Sequence, residues 1–191
     1  MEAVWYDIRT MAEEELKALL HRTDPRRRKR MENIQDPDDR RRTAAGEMLA
    51  RRLLARKLGV EEAEAPLSWD EDGKPVVAQE GVYCSISHSG PHVVCAVASV
   101  PVGVDVEVIR LAEEKFIRRT CNEREVAYIR YGDAGCYQRF WECWTAKEAL
   151  FKLTGHGPLL KLSGLEVPEG VVLDHTLQNG CTMTVAMALK D

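Results

Sequence analysis

"PVGVDVEV", Pro101–Val108, sets two carboxylates, Asp105 and Glu107, two residues apart in an apolar run. Successive side chains of an extended strand point to opposite faces, so Val104 and Val106 are expected in a core with both acids on the other face. Two negative charges about 4 Å apart repel by about 4 kcal/mol at an effective dielectric of about 20, a cost that a divalent cation removes. Paired hard oxygen donors suit Mg²⁺, which takes one or two carboxylates together with substrate phosphates. Alone, the pattern is better read as a strand with one solvated face.

Working outward, "VGVDVEV" follows two strand-like runs, "VYCSISHS" and "HVVCAVASV", separated by Gly90-Pro91, with "LSWDEDGKPVV" before them as a hairpin turning at Asp72-Gly73. Upstream, "VWYDI" reads as a strand, and Thr10 is placed to cap a helix over Ala12–His21 with Glu13 in the capping-box position. Asp24-Pro25 and Asp36-Pro37 each start a helix with proline in its first position. In the second of these, Met48, Leu49, Leu53, Leu54 and Leu58 recur at helical spacing, and Gly59 is its stop. Downstream, helices are expected over Leu111–Arg119, over Glu123–Tyr131 behind an Asn122 cap, and over Gly135–Leu153, with Asp133 as cap and Gly155 as stop. The tail, "LSGLEVPEG" to "CTMTVAMAL", returns to strands. The order, a long helix and then strand pairs, occurs twice. It predicts an α+β protein of two similar α/β halves, each a long helix on a small antiparallel sheet, divided as residues 1–100 and 101–191.

The chain has 191 residues, 45% of them hydrophobic, enough for one domain or two small packed halves. No apolar run reaches signal-peptide or membrane-span length, so neither membrane insertion nor export is expected. The six cysteines are scattered without a C-x-x-C, which favours reduced thiols and a cytoplasmic location over a disulfide framework or zinc ribbon. Net charge is −4, yet Arg26–Lys57 holds 12 Lys/Arg against 5 Asp/Glu, a local +7 that leaves −11 elsewhere. A basic segment inside an acidic chain suggests a polyanionic ligand for that segment, or else two solvated amphipathic helices; general nucleic-acid binding is disfavoured.

Three further motifs bear chemistry. In "WECWTAKEALFKLTG" (Trp141–Gly155), Trp144, Glu148 and Lys152 fall at i, i+4 and i+8, one stripe of a helix. A helix against the sheet could present Glu148 to the same cation and Lys152 to a phosphate; an ordinary surface Glu–Lys pair fits too. "SISHSG" (Ser85–Gly90) ends a strand with hydroxyl and imidazole groups suited to an anion. A Ser–His hydrolase is disfavoured, because Ser87 and His88 point to opposite faces and no G-x-S-x-G occurs. "DGKP" (Asp72–Pro75) carries Lys74 beside a turn.

In this order and spacing, G-K-P, S-I-S-H-S, G-V-D-V-E and W-T-A-K-E-A-L-F-K closely resemble the 4′-phosphopantetheinyl transferases, in the two-half, surfactin-synthetase-activating type. The resemblance runs from the basic helix near Arg26 to about Gly155, with only strand character beyond. It implies pseudo-two-fold related halves, the first binding coenzyme A and the second holding metal. It also implies Mg²⁺-dependent transfer of the phosphopantetheine arm of coenzyme A to a serine of an apo acyl or peptidyl carrier protein, with release of adenosine 3′,5′-bisphosphate. Carried over by motif, Asp105, Glu107 and Glu148 are the metal ligands. Lys152 balances or protonates the leaving group. Lys74, Ser87 and His88 bind coenzyme A, as does Arg42, with Arg26 and Lys29 at nearby basic positions. The general base is a glutamate of "CNEREVAYI", Glu125 in preference to Glu123. A monomer is expected, with no nucleic-acid or membrane partner. A Mg²⁺-dependent nucleotide pyrophosphatase and a non-enzymatic basic-helix binding module are the alternatives.

Overall fold

The computed structural model of the chain describes residues 1–131, 135–155 and 167–189. It forms two units, Met1–Ser99 and Val100–Asp191.

The first unit opens with strand β1 (Glu2–Asp7) and helices α1 (Glu13–Arg22), α2 (Pro25–Glu32) and α3 (Pro37–Leu58). A short hairpin, β2 (Leu67–Trp69) with β3 (Pro75–Val77), and a longer one, β4 (Tyr83–Ser89) with β5 (His92–Ala98), complete it. The main sheet has the order β1-β5-β4, antiparallel throughout. Helix α3 lies on one face: Ala44, Ala45, Met48, Leu53 and Leu54 pack with Val93, Cys95 and Val97. Its ends follow from its sequence. The Asp36 carboxylate accepts from the amides of Asp38 and Asp39, Pro37 opens the first turn, and Gly59 closes the last at φ 69°. The Asp24-Pro25 start of α2 is built the same way.

Thr10 does not cap α1. It ends a 3₁₀ turn, Ile8–Thr10, whose acceptor is the Asp7 carboxylate, and its hydroxyl donates to the Asp7 carbonyl. Helix α1 starts later, at Glu13, with Ala12 in the cap position and no side-chain bond. The Asp7 carboxylate caps the 3₁₀ turn by accepting from the Arg9 amide at 2.9 Å, and the first turn of α1 is left without a side-chain acceptor.

The second unit repeats this topology. Strand β6 (Val102–Val108) comes first, then α4 (Glu114–Thr120), α5 (Glu123–Arg130) and α6 (Cys136–Thr154), then the hairpin β7 (Val171–Gln178) and β8 (Cys181–Ala188). The sheet order is β6-β8-β7. In both units the opening strand pairs with the last strand of the closing hairpin, and the long helix covers the sheet. Asn122 and Glu125 form a reciprocal capping box at the start of α5. Gly135 occupies the N-cap of α6 and Gly155 its C-cap, both at positive φ. Asp133, expected as the cap of α6, and residues 162–166 of the expected tail strands lie outside the described residues. Among the described residues no helix is long and apolar enough to cross a membrane.

Candidate active site

The site in the second unit is set by a residue without a side chain. Gly103, Asp105 and Glu107 share one face of β6, and α6 crosses that face directly over Gly103. A Cβ on Gly103 would lie 2.0 Å from the carbonyl oxygen of Ala149 and 2.6 Å from the amide nitrogen of Leu153. A strand glycine permits this backbone-on-backbone approach. The acid-bearing face is therefore not an open, wet one: Asp105 is only 5% exposed and Glu107 is half-buried. Val104 and Val106, on the opposite face, are buried as expected.

The close crossing brings the helix motif to the strand motif. Lys152 Nζ lies 2.7 Å from Asp105 Oδ1 and 3.1 Å from the carbonyl oxygen of Val104. Glu107 is held by Arg110 at 3.1 Å, and the Arg110 guanidinium stacks on Trp141. Glu148 is half-buried, and its carboxyl is pushed up to about 7 by burial first and then by the charge of Asp105, with Lys152 pulling down and Glu107 adding to the rise. Asp105 pairs across the sheet with Thr184, whose hydroxyl bonds Thr145 of α6 at 2.7 Å and His175 Nδ1 at 2.9 Å. Trp144, one turn before Glu148, is a wall: its ring packs on Phe116 at 4.9 Å.

The donor set fits a hard divalent cation. It consists of carboxylate oxygens alone, and the mutual repulsion felt at Glu148 is the kind a cation relieves. Among the described residues no three His, Cys, Asp or Glu side chains are already drawn into a metal cage. Asp105 and Glu107 have Lys152 and Arg110 as cationic neighbours, with which a metal would compete.

Glu125 lies on a different side of α6. Its Oε2 accepts from the Asn122 amide at 2.7 Å and from Lys147 Nζ at 2.6 Å. Lys147 is 3% exposed and also donates to the Thr120 carbonyl. Neighbouring residues on a helix point about 100° apart, so Lys147 faces α5 while Glu148 faces the sheet. The Glu125–Lys147 pair lines a pocket of about 340 Å³ with Tyr128, Glu142, Leu150 and His175. Glu123 is exposed in the first turn of α5.

In the first unit, Ser87 and His88 alternate along β4, Ser87 buried and His88 exposed, which bears out their opposite faces. Arg42 donates to the Gly90 carbonyl at 2.8 Å and is ion-paired with Asp39. The Gly90 bond anchors it at the turn just beyond His88. Lys74 is exposed in the β2–β3 turn, where its amide donates to Asp70 Oδ1 at 2.8 Å. Arg26 and Lys29 are exposed on α2, and Arg26 lines a pocket of about 400 Å³ between α2, α3 and the short hairpin.

Comparison with known proteins agrees with this geometry. Residues 101–184 match the family model of the 4′-phosphopantetheinyl transferase superfamily, and residues 10–100 match that of the 4′-phosphopantetheinyl transferase N-terminal region. The chain is 30% identical over 173 residues to the 4′-phosphopantetheinyl transferase HetI of Nostoc sp., covering 80% of this chain and 73% of that one. It is 27% identical over 164 residues to the 4′-phosphopantetheinyl transferase Sfp of Bacillus subtilis, covering 85% and 73%. The enzyme gsp of Aneurinibacillus migulanus is 31% identical over 132 residues, covering 69% and 55%. The chain belongs to the 4′-phosphopantetheinyl transferase family.

Sequence reading missed several residues of this transferase. Gly103 was legible only as part of a motif; its role appears once α6 is seen against it. On α2, the residues turned toward the hairpin are Arg27 and Arg30. Arg27 stacks on Trp69 with its guanidinium carbon 3.8 Å from the ring centre, and Arg30 donates to the Glu71 carbonyl. In a run of five consecutive cations no polarity contrast marks the inward face. Lys147, beside Glu148 in the motif, is the buried partner of Glu125.

Proposed function

We propose that this transferase moves the 4′-phosphopantetheine arm of coenzyme A onto a serine hydroxyl of an apo acyl or peptidyl carrier protein and releases adenosine 3′,5′-bisphosphate. The convergence of Asp105, Glu107, Glu148 and Lys152 at one helix–strand crossing carries the reading. Asp105, Glu107 and Glu148 would hold Mg²⁺, which, when bound, neutralises charge on the diphosphate oxygens.

The chain's own groups account for the proton movements. Glu125 takes the proton of the carrier serine, directly or through one water. The serine oxygen forms a bond to the β-phosphorus, and the bond from that phosphorus to the bridging oxygen breaks. Lys152 balances or protonates the departing phosphate, a step for which its place beside Asp105 suits it. Lys147 and the Asn122 amide hold Glu125 in one orientation. In the first unit, Lys74, Ser87, His88, Arg42, Arg26 and Lys29 are the proposed coenzyme A contacts. The six free thiols support a cytoplasmic enzyme, and a monomer is the proposed form, to be checked by light scattering.

The deciding experiment incubates the chain with coenzyme A, Mg²⁺ and a panel of apo carriers and reads intact mass. Gain of one phosphopantetheine on a carrier is expected. No gain on any carrier, with 3′,5′-adenosine bisphosphate released from coenzyme A by water alone, would replace this reading with a nucleotide pyrophosphatase. In the same assay Glu125→Gln should slow transfer far more than Glu123→Gln; equal effects would remove Glu125 as the base.

A further inference from the structure

Helix α6 is held to its sheet in two ways. Over β6 the contact is backbone on backbone, at Gly103, where a Cβ would lie 2.0 Å from the Ala149 carbonyl oxygen and 2.6 Å from the Leu153 amide nitrogen. One turn earlier on the helix, over β8, the contact is a hydrogen bond between two side chains, Thr145 and Thr184, 2.7 Å apart. Both threonines are fully buried, at 0% exposure. Neither has a part in the mechanism above.

The hydroxyls are bonded in a settled order. Thr145 donates to the Glu142 carbonyl at 3.2 Å, which uses its single proton. It therefore accepts from Thr184. Thr184 accepts in turn from His175 Nδ1 at 2.9 Å, at the exposed edge of the sheet. Both buried hydroxyls are satisfied within the protein, as buried polar groups must be.

The register gives this chain of bonds its use. Thr184 stands opposite Asp105 on one side and His175 on the other, so the three residues form one row across β6, β8 and β7. On the helix, Glu148 comes three residues after Thr145, on the same face, and one before Ala149. Glu148 therefore lies between the two contacts with the sheet. A helix held at one point can swivel about it. The Gly103 crossing, with Ala149 and Ala186 packed beside each other, resists separation but not rotation, because apolar contact has no preferred direction. A directional bond of fixed length at a second point removes that freedom.

We propose that Thr145 and Thr184 are positioning residues: their bond fixes the swing of α6 over the sheet and so sets the spacing of the Glu148 and Asp105 carboxylates that receive the divalent cation. This rests on the metal reading given above. Mn²⁺ binding to the full chain with coenzyme A present, followed by loss of the free-ion electron paramagnetic resonance signal, tests it without reference to turnover. Thr184→Val keeps the shape and removes the hydroxyl, and Mn²⁺ affinity should fall about tenfold or more, the range for residues that orient metal ligands. Thr184→Ser keeps the hydroxyl and drops a methyl group. Its affinity should stay within about twofold of native, although the gap should lower its melting temperature. Thr145→Val should match Thr184→Val, and the double variant should be no weaker than either, because both lose one bond. A role in packing alone would reverse the order of valine and serine. Native affinity in Thr184→Val, an equal loss in Thr184→Ser, or additive losses in the double variant would each overturn the proposal. Asp105→Asn and Glu148→Gln separate it from the reading beneath it. Loss of Mn²⁺ binding in both upholds the carboxylate site whatever the threonine variants do, and unchanged binding in both would overturn the metal reading and this proposal together.

Discussion

Lys152 reaches from the last turn of α6 to the middle of β6, where its ammonium lies 2.7 Å from Asp105 Oδ1 and 3.1 Å from the Val104 carbonyl oxygen. One side chain thus ties the helix motif to the strand motif. Lys152 is part-exposed and Asp105 buried, so the ammonium borders solvent while the carboxylate does not.

Asp105→Asn keeps the shape of the strand and removes the charge. Transfer to an apo carrier is expected to fall by about 100-fold or more, on the scale of losing one preorganised electrostatic contact. The fold should survive with a loss of about 1–3 kcal/mol in urea unfolding, because the amide still offers Lys152 an acceptor. Near-native turnover would remove Asp105 from the site.

Glu148→Gln is expected to separate stability from activity. The carboxyl is pushed up to about 7, so its charged form is disfavoured by the fold. In EDTA at pH 8 the amide should raise the unfolding free energy by about 1–3 kcal/mol, since a charge is no longer held in a half-buried place beside Asp105 and Glu107. Transfer should be lost. A less stable variant would contradict the crowding described for this residue.

Gly103→Ala adds a single methyl group where there is no room for it, 2.0 Å from a helix carbonyl oxygen. The backbone cannot rotate away as a side chain would, so the cost should reach the upper end of the overpacking range, about 3 kcal/mol. Transfer should fall as well, because α6 must lift from β6. Denaturant unfolding read beside the carrier assay checks both effects, and native behaviour in both would refute the crossing.

His92 should make the first unit sensitive to mild acid. It is buried, and its Nδ1 accepts from Trp5 Nε1 at 3.0 Å, a bond that protonation of Nδ1 abolishes. Burial lowers its pKa, with Asp7 opposing. The stabilisation is therefore present above the unfolded value of about 6.5 and lost as pH falls through the lower folded value. Asp7, held down to about 2 by Arg9, acts only in stronger acid. Melting temperature should decline below about pH 6.5 in the native chain and decline less in His92→Gln. Parallel curves would rule His92 out.

Much of this architecture could be read from capping chemistry. Asp24-Pro25, Asp36-Pro37, Asn122, Gly59 and Gly155 bound their helices where the residue types require. Thr10 misled because its hydroxyl turns back to the Asp7 carbonyl and closes a 3₁₀ turn, a use that the cap signal does not distinguish from capping α1. The acids Asp105 and Glu107 were legible from spacing, but the burial of Asp105 was not, since periodicity cannot show what lies on a strand's second face. Likewise the burial of Glu47 and Lys147, charged residues within helices, shows only once their partners Arg27, Arg51 and Glu125 are seen.

The strand order has a consequence for synthesis. Glu2 is partnered with Val97, and Val102 with Met187, so each sheet closes only when the final strand of its own unit has emerged from the ribosome. Translation therefore leaves β1 and then β6 waiting as unpaired apolar strands for most of a unit's length, a window in which chaperones or misassembly compete. Because every described ladder of the first sheet lies within residues 2–98, that sheet has all its strands while the second is still being made.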